Sequence, residues 1–217
     1  MTQTQSHFIV ISVATTGLVT HTHTPKLLEI AARLVFPGDA KVSGAGRFSA
    51  LVSHPPAQLR SSEAVQAQRF HGITPDLSST GFPEEEVIAS FNAWRQGIVN
   101  ILFNSGSGLA GWRAYNRDFV SAVLACPTWM EALGPGAPGR CVMEEASEVM
   151  GAHGALPASL DGSFRFPSMA HTARWLRERG HAVREKDKRP RAGATCVAEI
   201  CVALAHERRL LTWSSAS

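Results

Sequence analysis

HFIVISV at residues 7–13 and the TTG at Thr15 to Gly17 decide how this chain reads. The heptapeptide is short, apolar and rich in β-branched residues, as a buried strand is, and the small polar triplet closes it in a turn. PKLLEIAARLVF, residues 25–36, fits strand or helix by period, and Pro37, Gly38 and Asp39 end it. A third apolar stretch, Gly46 to Ser53, runs into Pro55 and Pro56, which have no N–H to give to a ladder. The economical expectation is three antiparallel strands at the start of the chain.

Beyond these strands the chain is mostly helical in pattern. Ser61 and Ser62 are N-cap types ahead of SEAVQAQRF, and Pro83 with three glutamates after it opens PEEEVIASFNAWRQGI, with acids on the positive helix end. Leu109 to Gly111 leads into a further helix start at Asn116 to Leu124. LGPGAPG, residues 133–139, and the longer stretch Gly151 to Pro167 read as loops. From Ser168 the period is helical through MAHTARWLRERG, and Gly193 to Leu211 reads as a final amphipathic helix. Strands first, then helices with at least one strand among them, predict a single α/β layered domain. It spans 1–217, with a core of about 7–211 and short flexible ends, and contains no internal repeat.

Composition narrows the class. The 217 residues are 44% hydrophobic and 18% charged, with 10 Phe and 5 Trp. Such a chain buries a sizeable core, which excludes disordered, collagen-like and disulfide-stapled miniproteins. Phe8 to Val13 and Ile98 to Phe103, the longest apolar runs, fall far short of the roughly 20 residues a spanning helix needs. MTQTQSHF lacks a basic start followed by an apolar core, so the expectation is a cytoplasmic protein with reduced thiols. Cys126, Cys141, Cys196 and Cys201 are spaced at steps of 15, 55 and 5, which match no zinc-finger spacing and read as core thiols. His21 and His23 in THTHT are two metal-ligand types without a third nearby and read as a polar turn.

Charge is informative by place. The first 100 residues balance seven Lys/Arg against seven Asp/Glu, so the formal +3 arises in the second half, 14 against 11. RWLRERGHAVREKDKRPR, residues 174–191, holds eight bases and three acids. That excess reads either as a phosphate-neutralising surface or as a solvated helix end with interleaved signs.

Three motifs in order give the chain a relative. Ile11-Ser12-Val13-Ala14-Thr15-Thr16-Gly17-Leu18 agrees at six of eight places with I-D-V-E-T-T-G-L. Ala114-Tyr115-Asn116-Arg117-Asp118-Phe119, with Val120 and Leu124 after it, has the frame of A-H-N-x-x-F-D-x-x-x-L. Pro190-Arg191-Ala192-Gly193-Ala194-Thr195 keeps the Arg-Ala pair and the step of H-R-A-x-x-D. Leu28-Glu29-Ile30-Ala31 and His71-Gly72-Ile73-Thr74 match further phrases. From about residue 7 to 211 the chain resembles the DEDDh 3′-to-5′ exonucleases, the family of the proofreading (DnaQ-like) subunit of bacterial DNA polymerase III. The resemblance implies a ribonuclease H-like α/β fold with a mixed central sheet flanked by helices.

The departures fall on the chemistry. In the family four acids hold two magnesium or manganese ions and a histidine is the general base. The five corresponding places here are Ser12, Ala14, Val120, Thr195 and Pro190. Two divalent cations about 4 Å apart repel and need carboxylates to hold them, so the substitutions predict no metal cofactor and no nuclease activity. Replacement acids are few. Asp118 lies two positions before Val120, about 200° away on a helix. Glu199 is one turn after Thr195, and Glu144 and Glu145 are on a segment whose orientation the sequence leaves open.

The sequence supports three expectations of role. The first is a catalytically inactive accessory subunit that binds nucleic acid, a single strand or a 3′ end. Thr15, Thr16, Trp112, Tyr115, Asn116, Arg117, Arg189 and Arg191 would make the contacts, the aromatics by stacking unless they are core. The second is a protein-interaction or structural subunit without nucleic-acid contact. Protein partners in a complex, and a homodimer, are compatible with either. The third is a working exonuclease with replacement ligands.

Overall fold

The structure, a computed structural model, describes residues 7–17, 25–36, 41–101, 108–112, 140–185 and 189–214. Its sheet has five strands: β1 (Phe8–Thr15), β2 (Leu27–Phe36), β3 (Lys41–Leu51), β4 (Gly108–Gly111) and β5 (Arg140–Cys141). The spatial order is β3-β2-β1-β4-β5. β1, β2 and β3 are antiparallel neighbours, as expected, while β4 runs parallel to β1 and β5 parallel to β4. PKLLEIAARLVF is therefore a strand. Its pairing to both neighbours overrides the helical option left open by its period.

Side chains alternate across the sheet, so β1 feeds two cores. Ile9 and Ile11 face a cluster with Ile30, Leu34 and, from α3 (Glu84–Ile101), Val87 and Phe91. Phe8 and Val10 face the opposite cluster, built from α4 (Val142–Ala152), α5 (Met169–Glu178) and α6 (Pro190–Ser214). Two short helices, α1 (Ser62–His71) and α2 (Pro75–Ser78), lead from β3 to α3. The whole is a mixed sheet with helices on both faces.

Local chemistry sets the helix ends. Ser61 Oγ accepts from the Ala64 N–H, and Ser168 Oγ from the His171 N–H. Gly72 ends α1 at φ 70°, a conformation that favours glycine. Two boundaries differ from expectation. The final helix begins at Pro190 rather than Gly193, because proline suits a first helical position and the Arg189 carbonyl accepts from Ala192 and Gly193. Gly151 and Ala152 close α4 rather than open a loop; Val142, Ala146 and Val149 repeat on its buried face. Of the cysteines, Cys141, Cys196 and Cys201 are buried, as core thiols are. No helix among the described residues is long and apolar enough to cross a membrane.

Candidate functional site

The first strand and the last helix meet where the motifs align. Ser12 and Ala14 lie on the β1 face that packs against α6, and a Cβ added at Gly193 would stand 3.0 Å from Ser12 Oγ. Ala14 pairs with Glu29 on β2, Ser12 with Ala31, and Val10 with Arg33. Directly opposed residues share a face, so Glu29 and Arg33 join Ser12 and Ala14 under the start of α6.

Two contacts tie that region together. Arg189, just before α6, brings its Nε within 2.6 Å of Glu29 Oε2, and Glu29 is 3% exposed. A buried carboxylate needs such a partner, since breaking a buried pair costs about 3 kcal/mol or more. Arg33 Nε donates to Thr195 Oγ1 at 3.1 Å, and that hydroxyl donates in turn to the Arg191 carbonyl at 3.0 Å. The neighbourhood of the metal-ligand places thus holds arginines and hydroxyls. Ser12, Ala14, Pro190 and Thr195 carry no charge, and among the described residues the acid paired in register beside them, Glu29, is already neutralised by Arg189. These residues do not fit a pair of divalent cations.

Instead, positive charge accumulates. Arg33 is paired in register with Arg47 of β3, so two like charges stand opposite one another on neighbouring strands. Burial, then Arg47, Arg191 and Arg184, lower the Arg33 pKa, with Glu199 opposing. Arg47 and Arg191 are exposed, and among the described residues no acid pairs with either.

The remaining expected contacts divide. Thr15 Oγ1 donates to the Gly17 carbonyl and Thr16 Oγ1 accepts from the Lys26 N–H, so both hydroxyls close the turn and are buried. Trp112 departs from the expected stacking platform: it is 6% exposed, in the core with Phe8, Val10 and the helices. Its indole follows β4 inward because the end of a central strand has both faces covered. Glu199 is no spare ligand, since both its oxygens engage Arg184, at 2.8 Å from Nε and 2.8 Å from the backbone N–H. Glu144 and Glu145 lie in the first turn of α4. The His21 and His23 pair, Tyr115, Asn116, Arg117, Asp118, Val120, Cys126, the 116–124 helix start and the 133–139 loop lie outside the described residues.

The basic segment 174–191 is less uniformly positive than its composition suggests. Arg177 meets Glu185, Arg179 meets Glu207, Arg184 meets Glu199 and Arg189 meets Glu29. Three of these acids lie outside the segment, where linear charge counting does not see them. Arg33 and Arg47 carry no local signal in the sequence, because strand register alone sets them side by side.

No family profile matches the chain and no curated sequence is significantly similar to it. Solved structures are similar in fold. Cell-death related nuclease 4 superposes with a TM-score of 0.65 at 10% identity over 94% of this chain, which spans 64% of that protein's length. The nuclease domain of 3′hExo, a DEDDh family member bound to rAMP, gives 0.57 at 13% identity over 96% of this chain and 93% of its own. Exonuclease X in complex with 5′ overhanging duplex DNA gives 0.53 at 18% identity over 92% and 91%. At these identities the likeness establishes an exonuclease fold of ribonuclease H-like architecture.

Proposed function

We propose that this exonuclease-fold chain binds nucleic acid without cleaving it, holding a single strand or a 3′ end as a cytoplasmic accessory subunit of a larger complex. The observation that carries the reading is the placement of Arg33 opposite Arg47, with Arg184 and Arg191 beside them, against the strand and helix that would otherwise hold metal. Directly opposed like charges destabilise a sheet, and a bound polyanion relieves that repulsion. With carboxylates absent from Ser12, Ala14 and Thr195, phosphates approach without a bridging ion. Arg191 and Arg47 supply the contacts, and Arg189, committed to Glu29, positions the start of α6. The binding needs neither magnesium nor manganese.

A second reading, a protein-binding subunit without nucleic-acid contact, is favoured by one observation. Phe70, Phe82 and Phe166 are 74%, 61% and 58% exposed, aromatic side chains of the type enriched at protein interfaces.

The deciding experiment tracks the anisotropy of a 3′-labelled single-stranded oligonucleotide over time, with magnesium plus manganese or with EDTA, at two salt concentrations. The expected result is a constant, salt-sensitive rise that EDTA leaves unchanged. A metal-dependent decay would mean an active nuclease, and no rise at either salt would transfer the role to protein contacts.

A further inference from the structure

Away from the β1–α6 contact, three helices converge on one acid. Glu207, in the second half of α6, has a side chain 2% exposed. Its Oε1 lies 2.6 Å from His181 Nε2, and its Oε2 lies 2.7 Å from Arg179 Nη2 and 3.1 Å from His153 Nε2. His206, exposed and next in sequence to Glu207, stacks edge-on against His181 with ring centroids 5.3 Å apart. Arg179, His181, His206 and Glu207 line an open cavity of about 780 Å³ together with Val202 and Ala203.

We propose that His181, His206 and Glu207 form a site for one divalent transition-metal ion of the zinc class. One donor atom from each lies within 4.8 Å of the others. Two imidazoles and a carboxylate are the donor set that such ions take, leaving a fourth position to water. Bonds of about 2.0–2.1 Å set tetrahedral donors roughly 3.3 Å apart, so on binding the exposed His206 ring swings in and the 2.6 Å His181–Glu207 pair opens to admit the ion. Oε2, held by Arg179 and His153, fixes the carboxylate so that Oε1 faces the histidines, the outer-shell arrangement that orients metal ligands.

Two further features point to a cation. His153 caps the C-terminal end of α4 and Arg179 that of α5, so both helices turn their negative ends toward the site. His153 Nε2 is also buried without an aligned hydrogen bond, 3.1 Å from Glu207 Oε2. On binding, the metal takes the lone pair of His181 Nε2, and any proton there moves to Nδ1 or to solvent.

The site goes beyond nucleic-acid binding and stands without it. The test uses the full chain, stripped with EDTA and dialysed, titrated calorimetrically with zinc chloride and melted with and without the metal. One zinc ion per chain is expected, raising Tm by about 5–10 °C at a hundredfold excess over Kd. His206→Ala, at an exposed position, is expected to weaken binding at least tenfold with the metal-free Tm unchanged. The double variant His21→Ala, His23→Ala is expected to bind as the parent does. Cobalt in place of zinc should give a visible spectrum without thiolate charge transfer, which excludes the cysteines. Absence of zinc binding, retention of full affinity by His206→Ala, or loss of binding in the double variant would each overturn the proposal.

Discussion

A single arginine on β2 changes the meaning of the site. Arg33 faces Arg47 across the strand pair and donates to Thr195 on α6, so it links the strand edge to the helix that carries the third motif. If the group binds a phosphate backbone, each arginine releases about one counterion, and the slope of log K against log salt changes by roughly 0.7–0.9 per contact. Arg47→Ala should therefore reduce that slope by about one, and Arg33→Glu with Arg47→Glu by about two with weaker binding throughout. Anisotropy titrations over a range of salt measure it. An unchanged slope in both variants, with the parent still binding, would place the nucleic acid elsewhere on the surface.

At the scale of elements, α4 and the segment after it show how packing overrides local signals. Glycine in α4 looks like the start of a loop, yet Gly151 is buried because the Phe164 ring lies over it; a Cβ there would stand 2.3 Å from ring atoms. Ser147 Oγ donates to the Phe164 carbonyl at 3.0 Å and pins the same residue from the helix side. Gly151→Ala gains helix propensity but displaces the ring, so net destabilisation of about 1–3 kcal/mol is expected, read from the shift of the urea midpoint. The first three strands and the helix starts at Ser61, Pro83 and Ser168 were legible, because caps, prolines and alternation are local features. The early start of α6 at Pro190 and the existence of α4 were not. Proline serves as a stop or as a first helical residue, and the chain beyond it decides which.

For the whole molecule, one buried histidine couples stability to pH. His71 is 7% exposed and its Nδ1 accepts from the Ile73 N–H, which leaves the ring neutral with its proton on Nε2. Burial, and more weakly Arg189, push its pKa below the ordinary value, while the Thr15 backbone acts in the opposite sense. The unfolded chain therefore takes up a proton first as pH falls. Stability is full above about pH 6.5 and declines below it, until the folded-state histidine also titrates. His71→Asn keeps an acceptor for the Ile73 N–H and should flatten the decline between about pH 7.5 and 5.5 in paired denaturant titrations. An identical decline in parent and variant would assign it to other histidines.

The sequence by itself determined the strand-turn start of the chain, the layered α/β class and the motif places left without acids, because periodicity, turn residues and short motifs are written along the chain. The candidate site was only half legible. Ser12, Ala14, Pro190 and Thr195 could be found by alignment to a pattern, whereas what surrounds them could not. Tertiary structure alone set Arg33 against Arg47, gave Arg189 to Glu29, and took Trp112 into the core. It also gathered His153, Arg179, His181 and His206 around Glu207 from three helices. Those partnerships join residues up to 160 positions apart. Strand register and helix docking fix them, and neither leaves a mark in the local sequence.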